Sequence, residues 1–194
     1  MADYDFMVKT KIFSLSFNKI LNIFDNKDKL IGVCVQKAFK LKEDIRLYAD
    51  EAQKKELLRI QTPEILDFSA TYNIYDSASN NLLGYWRRQG LQSIFRDSWI
   101  MLDSESASEV GKMEEDNMTM AVVRRFCPFG HLIPQTYYLK NNAGTTLASF
   151  IQDFNPFFYG LKVKIYQNSG ESIDLKMAMA GAMLLATIEG RQQQ

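Results

Sequence analysis

A closed antiparallel β-barrel plugged by its own C-terminal helix is the fold this sequence predicts, and three observations predict it. A strand, turn, strand pattern recurs three times along the chain. Aromatic residues make up 12% of the sequence, mostly Phe and Tyr, which favour strands. The chain then closes on a run, Met177-Ala178-Met179-Ala180-Gly181-Ala182-Met183-Leu184-Leu185-Ala186, too apolar all round to lie on a surface. At 194 residues it has the size of one large all-β domain with one substantial core. Residues 1–194 therefore read as a single mainly β domain, a barrel of about twelve strands around a helix at about residues 174–189.

The first copy starts at Leu21-Asn22-Ile23-Phe24-Asp25 and the second at Tyr72-Asn73-Ile74-Tyr75-Asp76. In each, the Asp opens a polar turn, residues 26–29 and then 77–81, and the turn leads into a strand carrying a glycine, Leu30-Ile31-Gly32 or Leu82-Leu83-Gly84. The match continues from Leu47-Tyr48-Ala49-Asp50 to Ile100-Met101-Leu102-Asp103. It then runs from Glu56-Leu57-Leu58-Arg59-Ile60 to Glu109-Val110-Gly111-Lys112-Met113. Four strands are thus used twice.

A weaker third copy begins at Tyr137-Tyr138-Leu139-Lys140-Asn141, turns through Asn142-Ala143-Gly144, resumes at Thr146-Leu147-Ala148, and has a later strand at residues 161–166. Where its fourth strand is due, the chain turns instead to the Ala, Leu and Met-rich segment, with Asp174 or Ser172 as N-cap. Its apolar stretch, residues 177–188, is about a dozen residues long, where a membrane span needs roughly 20. Protein must therefore surround it, and alternating strands closed into a cylinder supply that surround and remove the unpaired edges of an open sheet. A solenoid competes, but copies starting at 21, 72 and 137 are unevenly spaced and end in a buried helix in place of a polar cap.

Lys and Arg together number 23, as do Asp and Glu, so no global field steers the protein onto nucleic acid or an anionic membrane, and any such contact needs a local patch. Cys34 and Cys127 are the only cysteines, and the start lacks the basic and apolar regions of a secretory signal. The expectation is a cytoplasmic protein with two reduced thiols and no membrane span.

The chain resembles the LURP-one-related and YxjI-like proteins, which share their fold with the tubby C-terminal domain and the phospholipid scramblases. The resemblance lies in the opening Phe6-Met7-Val8-Lys9-Thr10-Lys11-Ile12-Phe13-Ser14-Leu15-Ser16-Phe17, in Asp25, and in Val33-Cys34-Val35 followed by Ala38-Phe39-Lys40-Leu41. It continues in the Tyr72 repeat start and in Asp174-Leu175-Lys176 before the Ala-rich helix. It covers nearly the whole chain and implies a scramblase-like fold, the barrel with its central helix. For tubby itself it implies a basic phosphoinositide-binding surface; for the bacterial and plant relatives it implies no agreed activity. The first hairpin turn departs from the family's usual Gly, carrying Asn26-Lys27-Asp28, where Asn tolerates a left-handed conformation. The scramblases' membrane helix and calcium segment have no counterpart here, since Ser108 stands where a calcium loop opened by Asp103 needs its sixth-position glycine. Lipid scrambling is not expected.

Two arginine pairs are the candidate ligand-binding residues. Arg87 and Arg88 follow Tyr85 and Trp86 in a strand, a setting able to grip a phosphate, although alternation points the two to opposite faces. Arg124 and Arg125 end the strand at residues 118–123 and lead into the long loop Phe126-Cys127-Pro128-Phe129-Gly130-His131. For both pairs the plain alternative is a solvated surface. Cys127 and His131 invite a nucleophile and base, but Pro128 and Gly130 lie between them and no third orienting group follows. Cys34 reads as a small apolar core residue, and the helix methionines as core filler. One histidine and two distant cysteines do not make an ordinary closed metal site, and no glycine-rich phosphate loop occurs. No enzyme active site and no cofactor are expected. The sequence supports a non-enzymatic module binding an anionic ligand such as a phosphorylated lipid headgroup. Alternatively it is a structural or protein-interaction domain whose contact is a loop or strand edge.

Overall fold

A computed structural model describes residues 3–11, 19–36, 44–62, 69–89, 98–116, 134–153, 158–167 and 170–188. The described residues form twelve strands and one helix: β1 Phe6–Lys11, β2 Lys19–Asp25, β3 Leu30–Gln36, β4 Asp44–Tyr48, β5 Glu56–Gln61, β6 Thr71–Asp76, β7 Leu82–Arg88, β8 Ser98–Leu102, β9 Glu109–Glu115, β10 Thr136–Asn141, β11 Thr146–Asp153, β12 Phe158–Ile165 and α1 Leu175–Ile188. Each strand pairs antiparallel with its sequence neighbours, and β1 pairs with β12 from Phe6↔Val163 to Lys11↔Phe158, so the sheet closes. Among the described strands no edge is left, which removes the edge contact expected of an interaction domain.

Inward residues alternate along the strands, as in Leu21 and Ile23, Leu58 and Ile60, or Leu161 and Val163, all fully buried. Cys34 is among them, lining the interior as a small apolar side chain. The helix fills the cylinder. Met177 through Thr187 are buried without a break, and α1 packs on β12 and β1 as well as on β5, β6 and β7. Since β6 and β7 stand across the ring from β12 and β1, one helix reaches both walls only from inside.

Three contacts fix it there. Asp174 caps its start, its Oδ1 accepting from the backbone N–H of Lys176 at 2.8 Å and of Met177 at 3.2 Å. Trp86 Nε1 donates to the Met177 carbonyl at 3.2 Å. Lys176 Nζ lies 2.8 Å from Asp76 Oδ2, tying the helix to the second copy's turn.

The repeats are structural. β2, β6 and β10 each open a copy, and each carries a register shift at the same place, after Ile23, Ile74 and Leu139. Asp25, Asp76 and Asn141 organise the three following turns with side-chain oxygens that accept backbone N–H groups, from Lys27 and Lys29, from Ala78, and from Ala143 and Thr145. The positive-φ position of these turns is Asp28, Asn80 and Gly144, so in the first turn the left-handed residue is Asp28 and not Asn26. The second hairpins align one residue away from the sequence match. Tyr48 pairs with Glu56 and Leu102 with Glu109, which makes Tyr48 the counterpart of Leu102.

The third copy's missing fourth strand is also found. β1 takes that place, pairing with β12 on one side and β2 on the other. Val8↔Ile23 then matches Ile60↔Ile74 and Met113↔Leu139, so Met7, Arg59 and Lys112 are equivalent outward positions.

Candidate functional site

Arg87 and Arg88 lie on opposite faces of β7, as the alternation requires. Arg87 is exposed on the outer wall, while Arg88 is 7% exposed and directly opposite the buried Trp99 on the inner face. Only Arg87 can belong to an outer patch. Arg124 and Arg125, like Cys127 and His131, lie outside the described residues.

The barrel register gives Arg87 other companions. Arg87 is opposite Ile100, Ile100 is opposite Lys112, and Lys112 is opposite Lys140. With neighbouring strands about 4.8 Å apart, Lys112 and Lys140 stand roughly 5 Å from one another and Arg87 about 10 Å from Lys112. Ile100 between them is 4% exposed and forms an apolar floor. Three cations thus share one row across β7, β9 and β10.

Like charges directly opposite on adjacent strands destabilise a sheet. Among the described residues the other cationic pair in register, Arg46↔Arg59, is offset by its surroundings. Arg46 lies 3.1 Å from Asp44 and 2.9 Å from Glu56, and its hydrogen bond to Asp44 holds its protonation above the usual range. Arg59 donates to Asn80 Oδ1 at 2.6 Å and sits 5.2 Å from the Tyr75 ring. Lys9, Lys162 and Lys164 are likewise partnered, with Asp28 at 3.6 Å, with Asp153 at 3.2 Å and with Asp3.

In the row, only Lys112 has such a partner, Glu114 at 2.7 Å. Among the described residues neither Arg87 nor Lys140 has an acid within ion-pair distance, and both are exposed. The three copies differ here in an informative way. The residue facing Met7 is Phe24 and the one facing Arg59 is Tyr75, but the one facing Lys112 is Lys140. The third copy has replaced an aromatic partner with a second cation.

Lys112 and Lys140 were not legible as a site in the sequence. The signal was present in the repeat, where Lys140 occupies the place of Phe24 and Tyr75, but the strand register that sets it against Lys112 is not.

Fold and row together define a helix-plugged barrel whose mostly apolar core also buries Arg88 and Glu115, with cations placed on its outer wall. Among the described residues no helix is long and apolar enough to cross a membrane. The chain matches no protein-family model, no curated protein and no solved structure.

Proposed function

We propose that this domain is a non-enzymatic binding module that docks on a phosphorylated lipid headgroup at an anionic membrane surface through Arg87, Lys112 and Lys140. The observation that carries the reading is the in-register Lys112↔Lys140 pair, a like-charge opposition that an anion between the two ammonium groups would turn to advantage. The row lies on the convex outer wall, where a small soluble anion would not be enclosed but a surface carrying several phosphates can meet all three cations together. The resemblance to the tubby-like proteins and the LURP-one-related family points the same way, since tubby's own basic surface binds phosphoinositides. Arg124 and Arg125 remain candidates to extend the patch.

The test is co-sedimentation with liposomes, neutral against phosphoinositide-containing, at low salt and at about 0.15 M salt. Binding to the charged vesicles alone, weakened by salt and lost in Lys112→Ala/Lys140→Ala, is the expected result. A free inositol phosphate that competes with equal strength in solution would mark the ligand as soluble. No binding at either salt would retire the reading in favour of a protein-interaction domain.

A further inference from the structure

The row contains its own counter-ion. Glu114 lies two residues beyond Lys112 on β9 and so on the same outer face, with Oε1 2.7 Å from Lys112 Nζ. Both side chains are about one-third exposed, at 36% and 33%, so the pair is within reach of solvent and of anything that docks there.

The position is specific to this copy. The residues two beyond Arg59 and Met7 are Gln61 and Lys9, neither of them acidic. The acid therefore accompanies the one copy in which two lysines face each other across the sheet.

In the free protein Glu114 offsets the Lys112 and Lys140 repulsion. A phosphate approaching the pair needs the same ammonium group and is itself repelled by the carboxylate. Building on the headgroup reading above, we propose that Glu114 is a built-in competitor for the anion-binding row. Its carboxylate gives up Lys112 when an anionic surface docks. The surface must carry enough charge to compensate for the exchange, and Glu114 thereby sets the charge density at which the domain binds.

The test measures vesicle binding against increasing phosphoinositide content for the full chain, for Glu114→Gln, and for Glu105→Gln. Glu105→Gln removes the same net charge from the exposed β8 to β9 turn, away from the row. Glu114→Gln should bind roughly two- to five-fold more tightly and at lower phosphoinositide content, the scale of one partly exposed ion pair. Glu105→Gln should stay close to the unsubstituted protein, and the gain should vanish when Lys112→Ala is added. Matching melting curves establish that the variants are folded. If the unsubstituted protein binds through Lys112 and Lys140 but Glu114→Gln is no tighter, or Glu105→Gln gains as much, the competitor role is overturned and the headgroup reading stands. If the unsubstituted protein binds no charged vesicle, both fall together.

Discussion

Gly181 tests whether the helix lies inside the barrel, because the sign of the effect of adding one methyl depends on it. A Cβ there would lie 3.1 Å from Trp86 Cζ2, 3.4 Å from Trp86 Cε2 and 3.7 Å from Phe150 Cζ. Trp86 cannot easily yield, being fully buried and held by its hydrogen bond to the Met177 carbonyl. On an exposed helix, glycine to alanine would stabilise by about 1 kcal/mol. Inside this packing the overfilled contact costs about 1–3 kcal/mol, so Gly181→Ala should lose about 1 kcal/mol net. For a chain of this length that lowers Tm by about 3 °C in a thermal melt followed by circular dichroism. Gly181→Asp adds a buried carboxylate with no partner, worth several kcal/mol against a total stability of about 5–15 kcal/mol, and should leave little soluble folded protein. A Gly181→Ala variant with a raised Tm, or a soluble Gly181→Asp variant melting near the unsubstituted protein, would refute the threaded barrel.

Two further effects follow from the site and the turns. Lys140→Ala should stabilise the protein by about 0.5 kcal/mol, seen as a rise of a degree or two in Tm, because it relieves the opposition to Lys112 even as it weakens vesicle binding. Backbone N–H groups of Lys29 and Lys27 lower the Asp25 pKa, the Lys176 ammonium lowers that of Asp76, and the Ser106 amide lowers that of Asp103. Folded-state values depressed in this way give stability that is present above the unfolded carboxylate pKa and lost as pH falls through the folded one, so Tm should fall in that acidic range. Asp25→Asn should preserve its turn at neutral pH, as Asn141 does in the third copy, and should reduce the acid sensitivity.

The alternation of Leu21, Ile23, Leu58, Ile60, Tyr72 and Ile74, the repeated turn residue at Asp25, Asp76 and Asn141, and the unbroken apolar run after Asp174 made barrel and helix legible from local pattern alone. The seam at which the barrel closes was not legible. The pairing of β1 with β12 joins the two ends of the chain, and nothing local in Phe6–Lys11 shows that it completes the third copy. The one-residue offset at Tyr48 and Leu102 was hidden because the two bulges coincide while the turn after Tyr48, residues 49–55, is one residue longer than the turn after Leu102, residues 103–108.

At the site, alternation correctly separated Arg87 from Arg88, with Trp86 inside fixing which of them turns inward. The partners of Arg87 depended on registers across β8, β9 and β10. Residues 113–139 separate Lys112 from Lys140 along the chain, and that distance carries no register information.

The central claim is that the place of the cations, and not their number, makes a binding surface. The most direct measurement compares Lys112→Ala/Lys140→Ala with Arg46→Ala/Arg59→Ala in the same phosphoinositide-vesicle assay, since each variant removes two in-register cations from the outer wall. Loss of binding in the lysine variant, with the arginine variant binding as the unsubstituted protein does, is the predicted result. Equal loss in both, or none in either, would contradict it.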